Sequence, residues 1–128
     1  MRFTAAFAFV VVAGGIVSVP AVAQDAAAGK KGFAKCMACH DAKAEKNKVG
    51  PYLVGVIGRT AGTVEGFKYS PAMVEAGKGG LVWTEDKIHE YLENPKDFVK
   101  GNKMAFPGLK KDDEINNVIA YLKADPKP

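Results

Sequence analysis

Cys36-Met37-Ala38-Cys39-His40 is the stretch of this chain whose residue types and spacing can do chemistry. Two thiols three positions apart sit about one helical turn from each other, a separation that suits the two vinyl groups on one edge of a porphyrin. The thiols become thioethers, and the imidazole that follows is placed under the iron. C-x-x-C-H marks c-type haem attachment, and it is specific because cysteine must recur at a fixed spacing with histidine directly behind it.

C-x-x-C has two other uses. A zinc site takes about four ligands, and beyond the thiols the chain offers only His40 and His89, too far apart for the usual short spacings. A thioredoxin-like dithiol wants a βαβ surround, whereas the residues after His40 are rich in Gly and Lys. With 2 cysteines in all, and both in the motif, the chain is not a disulfide scaffold.

The elements that position this motif belong to one domain of 128 residues, with 48% apolar and 25% charged residues, an ordinary globular balance. A domain of this size has a modest core, so a buried haem is a large part of it and its removal is expected to unfold much of the chain. Residues 1–23 read as a secretory signal: Arg2, an apolar run from Phe3 to Val19, then Ala21-Val22-Ala23 as a small-x-small cleavage site. The alternative is an uncleaved anchor, which Gly14, Gly15 and Pro20 weaken. Residues 24–128 then form the functional domain, starting at Gln24. Cleavage removes Arg2 and no acid, leaving the chain one unit less basic than the formal +4 of the whole. That is too little for a nucleic-acid binder and fits an acidic protein partner better.

Asp25 to Lys35 reads as a first helix, capped by Asp25, with lysines toward its C-terminal end and Gly29 and Phe33 on one face. Gly29 costs about 1 kcal/mol against alanine in a helix, and close approach of another helix would explain it. Asp41 to Thr63 reads as loop. Ser70-Pro71 opens a short helix through Ala76, stopped by Gly77, Gly79 and Gly80. Thr84 caps a further helix with an Ile88, Tyr91, Leu92 face, ended by Asn94-Pro95, and Lys96 to Gly108 is loop again. The last helix opens on Asp112, Asp113 and Glu114 and carries the stripe Ile115, Val118, Ile119, Leu122. No strand is expected: the class is all-α with long loops, four to five helices in number.

In this order the residues resemble class I cytochrome c in its soluble bacterial periplasmic branch: Gly29-Lys30-Lys31, the C-x-x-C-H, Gly50-Pro51, Gly58-Arg59, Gly66-Phe67-Lys68-Tyr69, Trp83, Tyr91 to Pro95, Lys103-Met104 and Ile119 to Lys123. The resemblance implies the cytochrome c fold around one covalent haem c, with His40 as fifth iron ligand and the Pro51 carbonyl fixing its imidazole. Met104 matches the family's sixth ligand and lies in a loop able to reach the iron; Met37 is too close to the cysteines, Met73 reads as a core gap-filler and His89 as a solvated residue. Tyr69 and Trp83 resemble donors to a haem propionate, Arg59 the cation that helps neutralise it, and Tyr91 the phenol aimed at the methionine sulfur. Gly29, Phe33, Val118 and Tyr121 resemble the crossing of first and last helices. Asn102, where the family often has Thr, and Met73, near a family Asn, are departures.

What this implies is a one-electron carrier rather than an enzyme, with a high potential because methionine ligation and burial both favour the less charged ferrous state. Lys35, Lys48, Lys96, Lys103, Lys110 and Lys111 match positions ringing the exposed haem edge, a field that would steer acidic docking faces of a cytochrome bc complex, a terminal oxidase or a photosynthetic reaction centre. The expectation is a monomer in the periplasm, without nucleic acid and without stable membrane insertion after cleavage. An open iron would instead suit a peroxidase or gas-binding protein, and an uncleaved N-terminus a tethered subunit.

Overall fold

The computed structural model describes residues 25–128, and the secretory signal expected over residues 1–23 lies outside them. Five helices follow in order: α1 (Ala26–Phe33), α2 (Pro71–Lys78), α3 (Glu85–Glu93), α4 (Pro95–Phe98) and α5 (Asp112–Lys123). Among the described residues there is no strand, only one antiparallel bridge between Thr60 and Val82. No described helix is long and apolar enough to cross a membrane.

The caps read from the sequence are the ones that close the helices. Asp25 accepts from the amides of Ala27 and Ala28, Ser70 from that of Met73, and Thr84 from that of Lys87. Each satisfies amides that have no partner inside the helix. Two helix bounds differ from expectation. The first helix stops at Phe33 rather than Lys35, and the chain continues in turns through Cys39. The second runs to Lys78, through Gly77, because that glycine is a contact and not a stop: a β-carbon there would lie 1.9 Å from the Ala61 carbonyl oxygen. Pro95 ends α3 as expected but also opens α4, where proline at the first helical position loses no hydrogen bond.

The core sits where α1 crosses α5. Phe33 and Tyr121 pack with ring centroids 5.1 Å apart, and Ile115, Val118, Ile119 and Leu122 are buried beside them. α5 is the longest described helix and holds its acidic residues in the first turn and Lys123 in the last, the arrangement its dipole favours. α3 lays Ile88 into the same core and joins it to an aromatic group of Trp83, Tyr91 and Phe98, whose centroids are 4.9 to 6.3 Å apart. The core therefore fixes α1, α3 and α5, and the loops between them are left to form a cavity wall.

Candidate cofactor site

The C-x-x-C-H stretch leaves α1 in one continued turn. Cys36 N bonds to the Phe33 carbonyl at 2.8 Å and His40 N to the Cys36 carbonyl at 2.9 Å, so both thiols and the imidazole stay near one edge. The two cysteines form no disulfide and each is half-buried. The Gly50 amide bonds back to the Cys39 carbonyl at 2.8 Å, which brings Gly50-Pro51 against the ring. A β-carbon at Gly50 would sit 2.3 Å from His40 Cε1, so only glycine lets the backbone approach this closely.

His40 Nδ1 lies 2.7 Å from the Pro51 carbonyl oxygen. A carbonyl can only accept, so Nδ1 carries the proton and Nε2 keeps its lone pair for a metal. Burial, partly offset by the Pro51 bond and aided by Lys48 and Arg59, holds the imidazole below its ordinary pKa. The ring is thus neutral near pH 7, the form that ligates.

A cavity of about 300 Å³ opens beside this ring. Its wall is largely apolar, with Leu53, Val56, Met73, Ile88 and Leu122 among the lining residues. His40 and Met104 both line it, as do Cys36 and Cys39. Met104 is held by its neighbours: Asn102 Oδ1 accepts from the Met104 amide at 2.8 Å, while Asn102 Nδ2 donates to the carbonyls of Pro95 and Val99 at 2.7 and 2.8 Å. The Tyr91 hydroxyl donates to Met104 Sδ at 3.7 Å, and burial pushes that phenol up to about 12, so it stays a donor. Asn102 is the site residue that the sequence reading undervalued: noted only as a departure, it joins α4 to the methionine loop.

The remaining expected residues gather on the same cavity. Arg59 and Trp83 are brought together across the bridge, Gly58 N to Trp83 O and Trp83 N to Arg59 O both at 2.8 Å. Arg59 donates to the Tyr52 and Val54 carbonyls at 3.0 and 3.3 Å and lies over the Tyr52 ring. Burial pulls its guanidinium below the usual value, and a nearby anion would restore it. Tyr69 accepts from the Val64 amide at 3.0 Å, which leaves its own O–H to donate. Met73 is buried as expected, and it also lines the cavity. His89 is away from that wall and lies between two carboxylates rather than free in solvent.

The donor set fits a covalently attached haem: two thiols at one edge, one imidazole nitrogen with a free lone pair, a thioether sulfur, an apolar wall, and a half-buried cation. The comparisons agree. The family model described as cytochrome c matches residues 26–124. Cytochrome c2 of Afifella marina is 51% identical over 98 residues, covering 76% of this chain and 79% of that protein. Cytochrome c2 of Agrobacterium tumefaciens is 49% identical over 107 residues, covering 81% and 96%. The solved structure of cytochrome c2 from Rhodospirillum centenum superposes with a TM-score of 0.75 at 41% identity, covering 81% of this chain and 99% of that one.

Proposed function

The chain belongs to the cytochrome c family, and from that membership we propose that it is a periplasmic carrier moving single electrons from a cytochrome bc complex to a terminal oxidase, a reaction centre or another reductase. As a member of that family it carries one covalent haem c and transfers electrons rather than catalysing a reaction at the metal. When bound, the haem supplies a one-electron iron couple. Cys36 and Cys39 would hold it by thioethers, and His40 Nε2 and Met104 Sδ would ligate its iron.

The observation that carries this reading is that His40, with its Nδ1 proton committed to Pro51, shares one apolar cavity with a Met104 fixed by Asn102 and Tyr91. With both residues on the iron, no position would be left for a substrate, which separates a carrier from a peroxidase. Tyr91 holds the sulfur without carrying charge, and the apolar wall disfavours the ferric form. Arg59, Tyr69 and Trp83, which line the same cavity, would receive the propionates.

Lys48, Lys96, Lys103, Lys110 and Lys111 are exposed, and Lys35 is partly neutralised by Glu114 at 2.6 Å. Lys48 and Lys110 donate to backbone carbonyls and keep their charge. These cations steer an acidic partner, and steering is screened once ions crowd within about 8 Å, the Debye length at physiological salt. Stopped-flow rates with a purified acidic-faced redox partner are expected to fall at least about tenfold between low salt and several times physiological salt. A rate indifferent to salt would reject the steering.

The periplasmic address rests on residues 1–23, with Arg2, the apolar run and Ala21-Val22-Ala23. The intact mass of the haem-bearing protein from the producing cell is expected to match a chain beginning at Gln24. A mass that includes Met1 to Ala23 would make it a tethered subunit instead.

A further inference from the structure

Away from the haem cavity, α3 and α5 form the walls of a second hollow, about 410 Å³ in volume, lined by Thr84, Glu85, Asp86, His89, Asn116 and Ile119. His89, with 26% of its side chain exposed, faces a carboxylate on each ring edge: Nδ1 is 3.7 Å from Glu93 Oε1, and Nε2 is 3.7 Å from Asp112 Oδ1. Both distances exceed a hydrogen bond, so neither contact is closed. One ligand atom from each of the three residues lies within 4.8 Å of the others. Among the described residues, His89 is the only ion-pair partner of Glu93 and of Asp112. Of the neighbouring lysines, Lys87 pairs with Glu90 and Lys123 with Glu85, whereas Lys110 lies at the Glu93 carbonyl.

We propose that His89, Glu93 and Asp112 bind a divalent first-row metal such as Zn²⁺, and that the metal clamps the two ends of the segment carrying Met104. Zinc at about 2.0–2.2 Å from nitrogen and carboxylate oxygen needs ligand atoms roughly 3.3 Å apart, and because Glu93 and Asp112 face different ring nitrogens, one carboxylate must swing to the nitrogen that binds. Glu93 and Asp112 are 51% and 80% exposed, free to swing the remaining distance. One imidazole nitrogen, two carboxylates and a water complete four positions, and two negative charges balance the ion. An imidazole with carboxylates and no thiolate favours Zn²⁺ or Cu²⁺ over Cu⁺ or Mg²⁺. The C-terminal end of α3 adds a favourable dipole at Glu93, whereas Lys110, bonded to the Glu93 carbonyl at 3.1 Å, opposes the ion and limits affinity.

The clamp follows from chain order. Glu93 closes α3 and Asp112 opens α5, and between them runs the loop with Asn102 and Met104. One hydrogen bond, Leu109 N to the Leu92 carbonyl at 2.7 Å, already ties these ends. A shared metal would tie them again and slow the opening of the loop; this part alone draws its functional meaning from the reading of Met104 as ligand.

Titration calorimetry with Zn²⁺ on the haem-loaded protein tests the site. One equivalent is expected to bind, with affinity falling at least about tenfold in His89→Gln and several-fold in Glu93→Gln and in Asp112→Asn, while their visible spectra stay parental. The chain has 2 histidines and His40 is committed to the haem side, so the His89 variant is decisive. Saturating zinc is expected to slow amide exchange at Leu109 several-fold. Absence of saturable binding, or equal binding by His89→Gln, overturns the site; unchanged exchange at Leu109 under saturating zinc overturns the clamp. Neither readout depends on whether Met104 ligates the iron.

Discussion

The Met104→Ala variant, loaded with haem, is expected to lose the far-red absorption band of sulfur-ligated ferric haem, with a midpoint potential on the order of 0.2–0.3 V lower, within the roughly 0.8 V range that axial ligands command. The thioether stabilises the ferrous state, and alanine puts water or an adventitious donor in its place, which favours the ferric. The loop itself should survive. Asn102 takes its hydrogen bond from the backbone amide of residue 104, and its own amide group reaches Pro95 and Val99, so none of these bonds involves the methionine side chain. A spectrum and potential like the parent's would mean that another atom holds the sixth position. Exogenous cyanide and carbon monoxide provide the complement: slow or weak with the parent, fast and tight with the variant.

A second large effect is expected in stability. Alanine for glycine inside a helix normally gains about 1 kcal/mol. At Gly29 the added β-carbon would lie 1.8 Å from the Asn117 carbonyl oxygen and 2.9 Å from Tyr121 Cβ. These are backbone and near-backbone atoms of α5 and cannot turn aside, so α1 must lift from α5. Lifting loosens the Phe33–Tyr121 pair and the bond from the Asp25 amide to Asn117 Oδ1 at 3.0 Å. Gly29→Ala is therefore expected to cost roughly 3 kcal/mol or more, a large share of the 5–15 kcal/mol that holds a domain together. Gly32→Ala is the control: its β-carbon would meet only the tip of Val118 at 3.0 Å and Glu114 Cγ at 3.7 Å, side-chain atoms that can shift. Denaturant titration of both variants should show a fall for position 29 several times that for position 32. Equal effects would mean that the two helices do not meet as described.

Much of this was readable in the residues themselves. The thiol and imidazole spacing, the caps at Asp25, Ser70 and Thr84, and the α5 stripe are local signals, and each corresponds to a feature of the structure. The family resemblance drawn from scattered glycines, aromatics and Lys103-Met104 is what the comparisons show. What could not be read depends on distant partners. Gly77 looks like a helix stop until Ala61 is seen against it. α4 is four residues long and carries no periodicity. Asn102 acts through side-chain bonds to backbone, which leave no pattern in sequence, and His89 acquires its second carboxylate only when α5 folds back on α3.

The measurement closest to the central claim is X-ray absorption at the iron edge of the haem-loaded protein, in both oxidation states. The account predicts five nitrogen neighbours and one sulfur in each state, the sulfur belonging to Met104 and the axial nitrogen to His40. A coordination shell of nitrogen or oxygen alone, or a sulfur that departs when the iron is oxidised, would contradict it.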